Sequence, residues 1–222
     1  MTINRDELIS LYRRNLNAKY ITVENAGDYA IEREGNEVFL LFEGSDSATD
    51  WKNNFAFAVK PYSDMSLKWK CHRGFLKVWK SIREYLKEIV FDMSVEKITI
   101  VGYSHGAAIA TLCHEYVWFN RPDLRYNLRG FGFGCPRCFF GRMSKQLKAR
   151  WENFYPIRNL NDIVTHVPPR LFGFRHVNKV VKFGNKKLGL KERYCKIECA
   201  DAHMPENYIY SMKNADEEII LN

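Results

Sequence analysis

Apolar positions recur along this chain in two periods, and each stretch predicts an element. Residues 6–16 place Leu8, Ile9, Leu11, Tyr12 and Leu16 on one side and charges on the other, the pattern of an amphipathic helix packed on a sheet. Residues 29–33 and 38–42 flank Glu34-Gly35-Asn36-Glu37 and predict a hairpin with a Gly-Asn turn. The second of these strands is wholly apolar, which puts it at the centre of a sheet, covered on both faces. From Glu43 to Cys71 the chain is polar and aromatic by turns and carries no predicted element, and connections of that length are often functional. Helical spacing returns between Gly74 and Phe91, in Phe75, Val78, Trp79, Ile82, Tyr85, Leu86 and Ile89.

Residues 97–102 then read as a buried strand, and the small residues of 107–113 suit a helix packed close against it. A strand over 128–134, a turn at Pro136 and a basic helix around 143–150 follow. Two more strands are expected, over 154–159 and over 176–183, the latter starting at His176. Strands alternating with helices predict an α/β fold: a mostly parallel central sheet, helices on both faces, antiparallel strands at the edges. The 222 residues fit one domain spanning 1–222, since a chain of this length buries roughly three-quarters of its unfolded surface in one core.

Composition narrows the class. Hydrophobic residues at 46% and charged residues at 27% exclude a disordered chain. The net charge of +8 favours anionic surfaces, either nucleic acid or acidic headgroups. The basic, aromatic stretch Arg137-Cys138-Phe139-Phe140-Gly141-Arg142 has no nucleic-acid-binding module around it, so no nucleic-acid partner is expected. The first fifteen residues lack the apolar core of a secretory signal, which predicts a cytoplasmic protein. No apolar run approaches the ~20 residues needed to cross a bilayer, so membrane contact is expected to be peripheral. Without a signal, the six cysteines are expected to be buried or half-buried free thiols. A zinc pattern drawn from Cys135, Cys138, Cys195 and Cys199 is disfavoured, because the first pair sits where the fold needs a strand-to-loop turn.

The chemistry centres on Gly102-Tyr103-Ser104-His105-Gly106, which joins an apolar strand to a helix of small residues. In that context a serine sits on a strained turn at the strand's carboxyl end, exposed above the helix amino terminus, and larger flanking residues would collide with neighbouring backbone. The helix terminus offers N–H groups, the one of His105 among them, to an oxyanion. A serine hydroxyl also needs a histidine base held by a carboxylate. After the nucleophile the histidines available are His114, His166, His176 and His203. His114 falls within the helix and reads as a helix-surface residue pointing away from the serine. His166 is too close to Asp162 to turn back to it, and His176 starts a strand. His203, on the late loop Ala202-His203-Met204-Pro205, is favoured over His176. Asp162, on a loop at a strand's end before Pro168-Pro169, is the best acid, with Asp201 as a fallback. The mechanism needs no metal or organic cofactor.

Several segments, taken together, resemble the class 3 lipases. They are Phe42-Glu43-Gly44-Ser45, Asp50-Trp51, His72-Arg73-Gly74-Phe75, the Ser104 pentapeptide, Gly134-Cys135-Pro136-Arg137, Asn161-Asp162-Ile163-Val164 and His203-Met204-Pro205-Glu206-Asn207-Tyr208. The resemblance implies an α/β-hydrolase fold and a catalytic trio of Ser104, Asp162 and His203. It also implies that Ser45 completes the oxyanion hole beside His105, and that a lid lies between that segment and His72, where residues 50–59 supply either a flap that opens at a lipid surface or a fixed loop whose aromatics plug the core. Glu43 stands where the family usually has arginine. The activity implied is hydrolysis of acylglycerol or related lipid esters through an acyl-serine. Phospholipase A1-type activity and a non-catalytic lipid-binding module of the same fold are the alternatives.

Overall fold

The computed structural model describes residues 2–24, 27–44, 59–62, 69–184 and 200–221. Among them the main sheet has seven strands, in the order Val181–Phe183, Phe154–Asn159, Leu128–Phe133, Lys97–Tyr103, Glu37–Phe42, Gly27–Glu34 and Ile21–Val23. The first five pair in parallel and the last two are added by antiparallel pairing, matching the expected parallel sheet with an antiparallel edge. The hairpin turns at Gly35-Asn36, where Gly35 takes a positive φ of 63° that costs glycine nothing.

Strand alternation divides the interior into two layers. Val38, Leu40 and Phe42 face one cluster with Phe75, Trp79, Ile82 and Leu86 of the Arg73–Phe91 helix and Ala108 and Leu112 of the His105–Asn120 helix. Phe39 and Leu41 face the other, with Leu8, Leu11 and Tyr12 of the Arg5–Leu16 helix and Tyr208 and Met212 of the Pro205–Lys213 helix. The Arg5–Leu16 helix starts where the Asn4 side chain accepts from the backbone of Asp6 and Glu7. Its buried Asn15 donates to the carbonyls of Phe42 (3.1 Å) and Val101 (3.3 Å), tying the helix to the carboxyl ends of two central strands.

Four sequence expectations need correction. The stretch from Glu43 to Cys71 does contain structure: Val59–Tyr62 and Trp69–His72 pair antiparallel in a second sheet with Phe139–Phe140 and Phe174–Arg175. His176 does not begin a strand, because the sheet strand starts only at Val181 and His176 follows the Phe174–Arg175 strand of the second sheet. His114 is not on a surface. The His105–Asn120 helix is buried continuously from Gly106 to Val117, wedged between the main sheet and the Arg73–Phe91 helix, and the His114 ring meets Phe154 edge-on at 5.5 Å. The basic helix is shorter than expected, Lys145–Ala149. No helix among the described residues is long and apolar enough to cross a membrane.

Candidate active site

The Lys97–Tyr103 strand delivers Ser104 directly into the His105–Asn120 helix. The turn is tight enough to force Ser104 to φ 55°, ψ −121°, a region that costs a non-glycine residue of order 1–3 kcal/mol and persists only where surroundings hold it. Those surroundings are visible in the two glycines. A Cβ on Gly102 would lie 2.3 Å from the Gly106 carbonyl oxygen, and one on Gly106 would lie 2.3 Å from the Phe42 carbonyl oxygen. The Ser104 N–H is held by the Phe133 carbonyl at 2.9 Å.

Three residues predicted from far-apart positions converge here. His203 Nε2 lies 2.9 Å from Ser104 Oγ, and His203 Nδ1 lies 2.8 Å from Asp162 Oδ2. Asp162 is fully buried on the turn after the Phe154–Asn159 strand, and its other oxygen accepts from the Val164 N–H at 2.8 Å. Neither His176 nor His166 joins them. The ring of His176 bonds the Thr165 carbonyl at 3.0 Å, and His166 Nε2 accepts from Arg158 at 3.0 Å. Ser104 is also not exposed as expected: at 4% exposure it is enclosed, since the His203 ring covers its hydroxyl and a Cβ on Gly44 would already touch its Cβ at 3.3 Å.

Four further residues, given no role from the sequence, fix this geometry. The Tyr208 hydroxyl donates to Asp162 Oδ2 at 2.6 Å. Burial first, and then the Asp162 carboxylate, hold the Tyr208 phenol well above its usual pKa, so it stays a donor. Tyr103 stacks on the His203 ring with centroids 5.0 Å apart and planes 19° apart, and its hydroxyl donates to the His203 carbonyl. Asn159 donates to the Ala202 carbonyl at 3.0 Å, anchoring the loop before His203. Gly134, at φ 59°, has no room for a side chain: a Cβ there would meet His203 Cε1 at 2.7 Å. The available signal was position, since Tyr103 lies inside the pentapeptide and Tyr208 five residues past His203.

His105 opens the helix, so its backbone N–H lies in the first turn, where no carbonyl four residues back is helical. Its imidazole pKa is lowered to about 4, by burial first and by His72 second, so the ring is neutral at neutral pH. Ser45 and the residues 50–58 of the expected lid lie outside the described residues, and Val59 begins a strand. Of the cysteines in the disfavoured zinc pattern, Cys135 and Cys138 are buried free thiols, and Cys195 and Cys199 lie outside the described residues.

Residues 39–172 match the family described as lipase (class 3), a segment that runs from within the Glu37–Phe42 strand past Asp162. The chain belongs to the class 3 lipase family. A lipase from Rhizomucor miehei is 28% identical over 147 residues, covering 64% of this chain and 40% of the relative. The secreted mono- and diacylglycerol lipase A of Penicillium cyclopium is 28% identical over 165 residues, 70% of this chain and 50% of the relative. This class 3 lipase chain thus spans half or less of the length of these curated relatives. The crystal structure of a lipase from Rhizopus microsporus var. chinensis superposes with a TM-score of 0.67 at 19% identity, over 95% of this chain and 88% of that one, which establishes the α/β-hydrolase fold. The relatives correct one expectation. A cytoplasmic location rested on the composition of the first residues, whereas family relatives carry the name of secreted lipases.

Proposed function

We propose that this protein is a serine-dependent hydrolase of lipid carboxylic esters, folded as one α/β-hydrolase domain over residues 1–222. The observation that carries the reading is the continuous path Ser104 Oγ, His203 Nε2, His203 Nδ1, Asp162 Oδ2, with both contacts under 3 Å. His203 takes the hydroxyl proton as Ser104 attacks the ester carbonyl, and Asp162 holds the ring in the tautomer that leaves Nε2 free to accept. The tetrahedral oxyanion is met by the His105 N–H, with Ser45 as the second donor. Collapse expels the alcohol, protonated by His203, and leaves an acyl-serine. Water activated by the same histidine then releases the acid. Every group in this sequence is a protein side chain or backbone N–H, so the reading calls on no cofactor.

Relatives named as mono- and diacylglycerol lipases support acylglycerols as the substrate class, and their being named secreted supports action outside the cell. Peripheral contact with a lipid surface is supported by large apolar side chains bracketing the trio. Ile163 follows Asp162 and Met204 follows His203, with 47% and 46% exposure, and Leu171 in the turn after Pro168-Pro169 is 92% exposed. No nucleic-acid partner is proposed.

The deciding experiment is hydrolysis of p-nitrophenyl esters across chain lengths, with mass spectrometry after a fluorophosphonate probe, on wild type and Ser104→Ala. Activity and an adduct on Ser104, both absent from the variant, uphold the reading. A folded wild type with neither overturns it in favour of a non-catalytic lipid-binding module.

A further inference from the structure

Away from the trio, the chain forms a half-open cavity of about 570 Å³ between the segment around the Lys145–Ala149 helix and the segment that follows the Phe174–Arg175 strand. Its walls carry Arg142, Lys148, Arg175 and Lys179, its apolar lining comes from Met143 and Val177, and among the described residues no acidic one lines it. Among the described residues none of these four cations is in an ion pair; Arg175 only donates from Nε to the Gly141 carbonyl at 3.1 Å. Arg14, Arg33 and Arg129, by contrast, each meet a carboxylate.

Two further features make this a built site. The segment beyond the strand is irregular yet fixed, because Asn178 donates to the carbonyls of Trp151 (3.1 Å), Glu152 (3.2 Å) and Phe154 (3.2 Å). Lys179 and Arg175 therefore leave a rigid frame at set positions. His176 also lines the cavity, and with Nε2 committed to the Thr165 carbonyl its Nδ1 is buried without a hydrogen-bond partner. Four like charges around one concavity repel one another, and a buried ring nitrogen without a partner carries a desolvation cost. A single ligand relieves both: a compact anion with several acceptor oxygens.

We propose that this cavity binds a phosphate group. Arginine forks match phosphate oxygens two at a time, and the lysines add point charge at the mouth. A concavity of this size holds a phosphate monoester or a phospholipid headgroup, whereas a nucleic-acid backbone would need an extended groove. The contact with Thr165, whose hydroxyl donates to the Asp162 carbonyl at 2.8 Å, places the site one turn of chain from the catalytic acid. It is separate from the trio and stands independently of the hydrolase reading.

The test uses the whole protein and two probes, inorganic phosphate read by thermal shift and titration calorimetry, and co-sedimentation with ether-linked vesicles of phosphatidylcholine with and without phosphatidylglycerol. Ether lipids resist ester cleavage, so binding is read apart from turnover. Arg142→Ser/Lys179→Ser removes two exposed cations of the site, and Lys60→Ser/Lys213→Ser removes the same charge elsewhere. The expected result is phosphate affinity about tenfold weaker in the first variant and unchanged in the second. Loss of vesicle binding in the first variant alone identifies a lipid headgroup as the source, and unchanged vesicle binding with lost phosphate affinity identifies free phosphate. Equal behaviour of both variants toward both probes, or no phosphate binding by wild type together with vesicle binding that Arg142→Ser/Lys179→Ser leaves intact, overturns the proposal.

Discussion

The Tyr208 hydroxyl and His203 Nδ1 both reach Asp162 Oδ2, at 2.6 and 2.8 Å, so Tyr208 shares the oxygen that orients the histidine. With Val164 on the other oxygen, both oxygens of the buried carboxylate accept hydrogen bonds. Tyr208→Phe removes one donor and leaves the ring in place. We expect kcat to fall by about threefold to thirtyfold with KM little changed, and stability to fall by about 1–2 kcal/mol. A variant with KM raised and kcat intact would show that Tyr208 shapes the substrate site instead.

Gly134 and Gly35 separate strain from collision. Both have positive φ, but a Cβ on Gly35 meets nothing within 4 Å, whereas one on Gly134 pushes on His203 and lies 3.1 Å from Asp162 Oδ2. Gly35→Ala is expected to cost about 1 kcal/mol in urea unfolding with ester hydrolysis untouched. Gly134→Ala carries the same strain, and it displaces the base, so hydrolysis is expected to drop by about a hundredfold or more. Comparable activity in the two variants would remove Gly134 from the account of how His203 is positioned.

Glu115 and Arg150 form an ion pair in which both side chains are almost wholly buried, at 0% and 3% exposure. The guanidinium also lies 5.2 Å from the Phe119 ring centroid and 5.5 Å from that of Trp118. Glu115→Leu strands the cation and is expected to destabilise the protein by about 3–5 kcal/mol, while Glu115→Leu/Arg150→Met recovers most of that loss. Chemical unfolding of the two variants checks it, and a double variant no better than the single one would mean that packing, and not the orphaned charge, sets the cost.

These outcomes bear on what the sequence could disclose. Ser104, Asp162 and His203 were legible because each carries a local signature: a glycine-flanked turn between strand and helix, a carboxylate just past a strand, a histidine on a late loop before Pro205. The second sheet was not legible. Trp69–His72 is only four residues long and buries all but Lys70, and its partner Phe139–Phe140 lies about seventy positions on, so neither periodicity nor turn chemistry announces the pairing. His114 misled for a related reason. A histidine late in a helix reads as surface only if the helix has a polar face, and this one is covered on all sides by elements distant in sequence. Tyr103 and Tyr208 acquire their roles only when three loops meet.

Buried histidines make the fold sensitive to acid. The pKa of His114 is lowered to about 3 by burial, that of His72 to about 4 by burial, and that of His176 to about 3 by burial and then by Arg137. Unfolding returns each to its ordinary value near 6.5, so below that pH the unfolded chain binds protons that the folded chain refuses. The sign follows: these groups leave stability unaffected above about pH 7 and lower it as pH falls from about 6.5 toward 4. Each contributes a slope of up to about 1.4 kcal/mol per pH unit within that window. His114→Leu is expected to lower stability at pH 7 through altered packing, yet to flatten the decline between pH 6 and 4 by about one proton in unfolding measured across that range. An unchanged slope would show that His114 is already protonated in the folded protein at pH 5, which its enclosure between the sheet and the Arg73–Phe91 helix argues against.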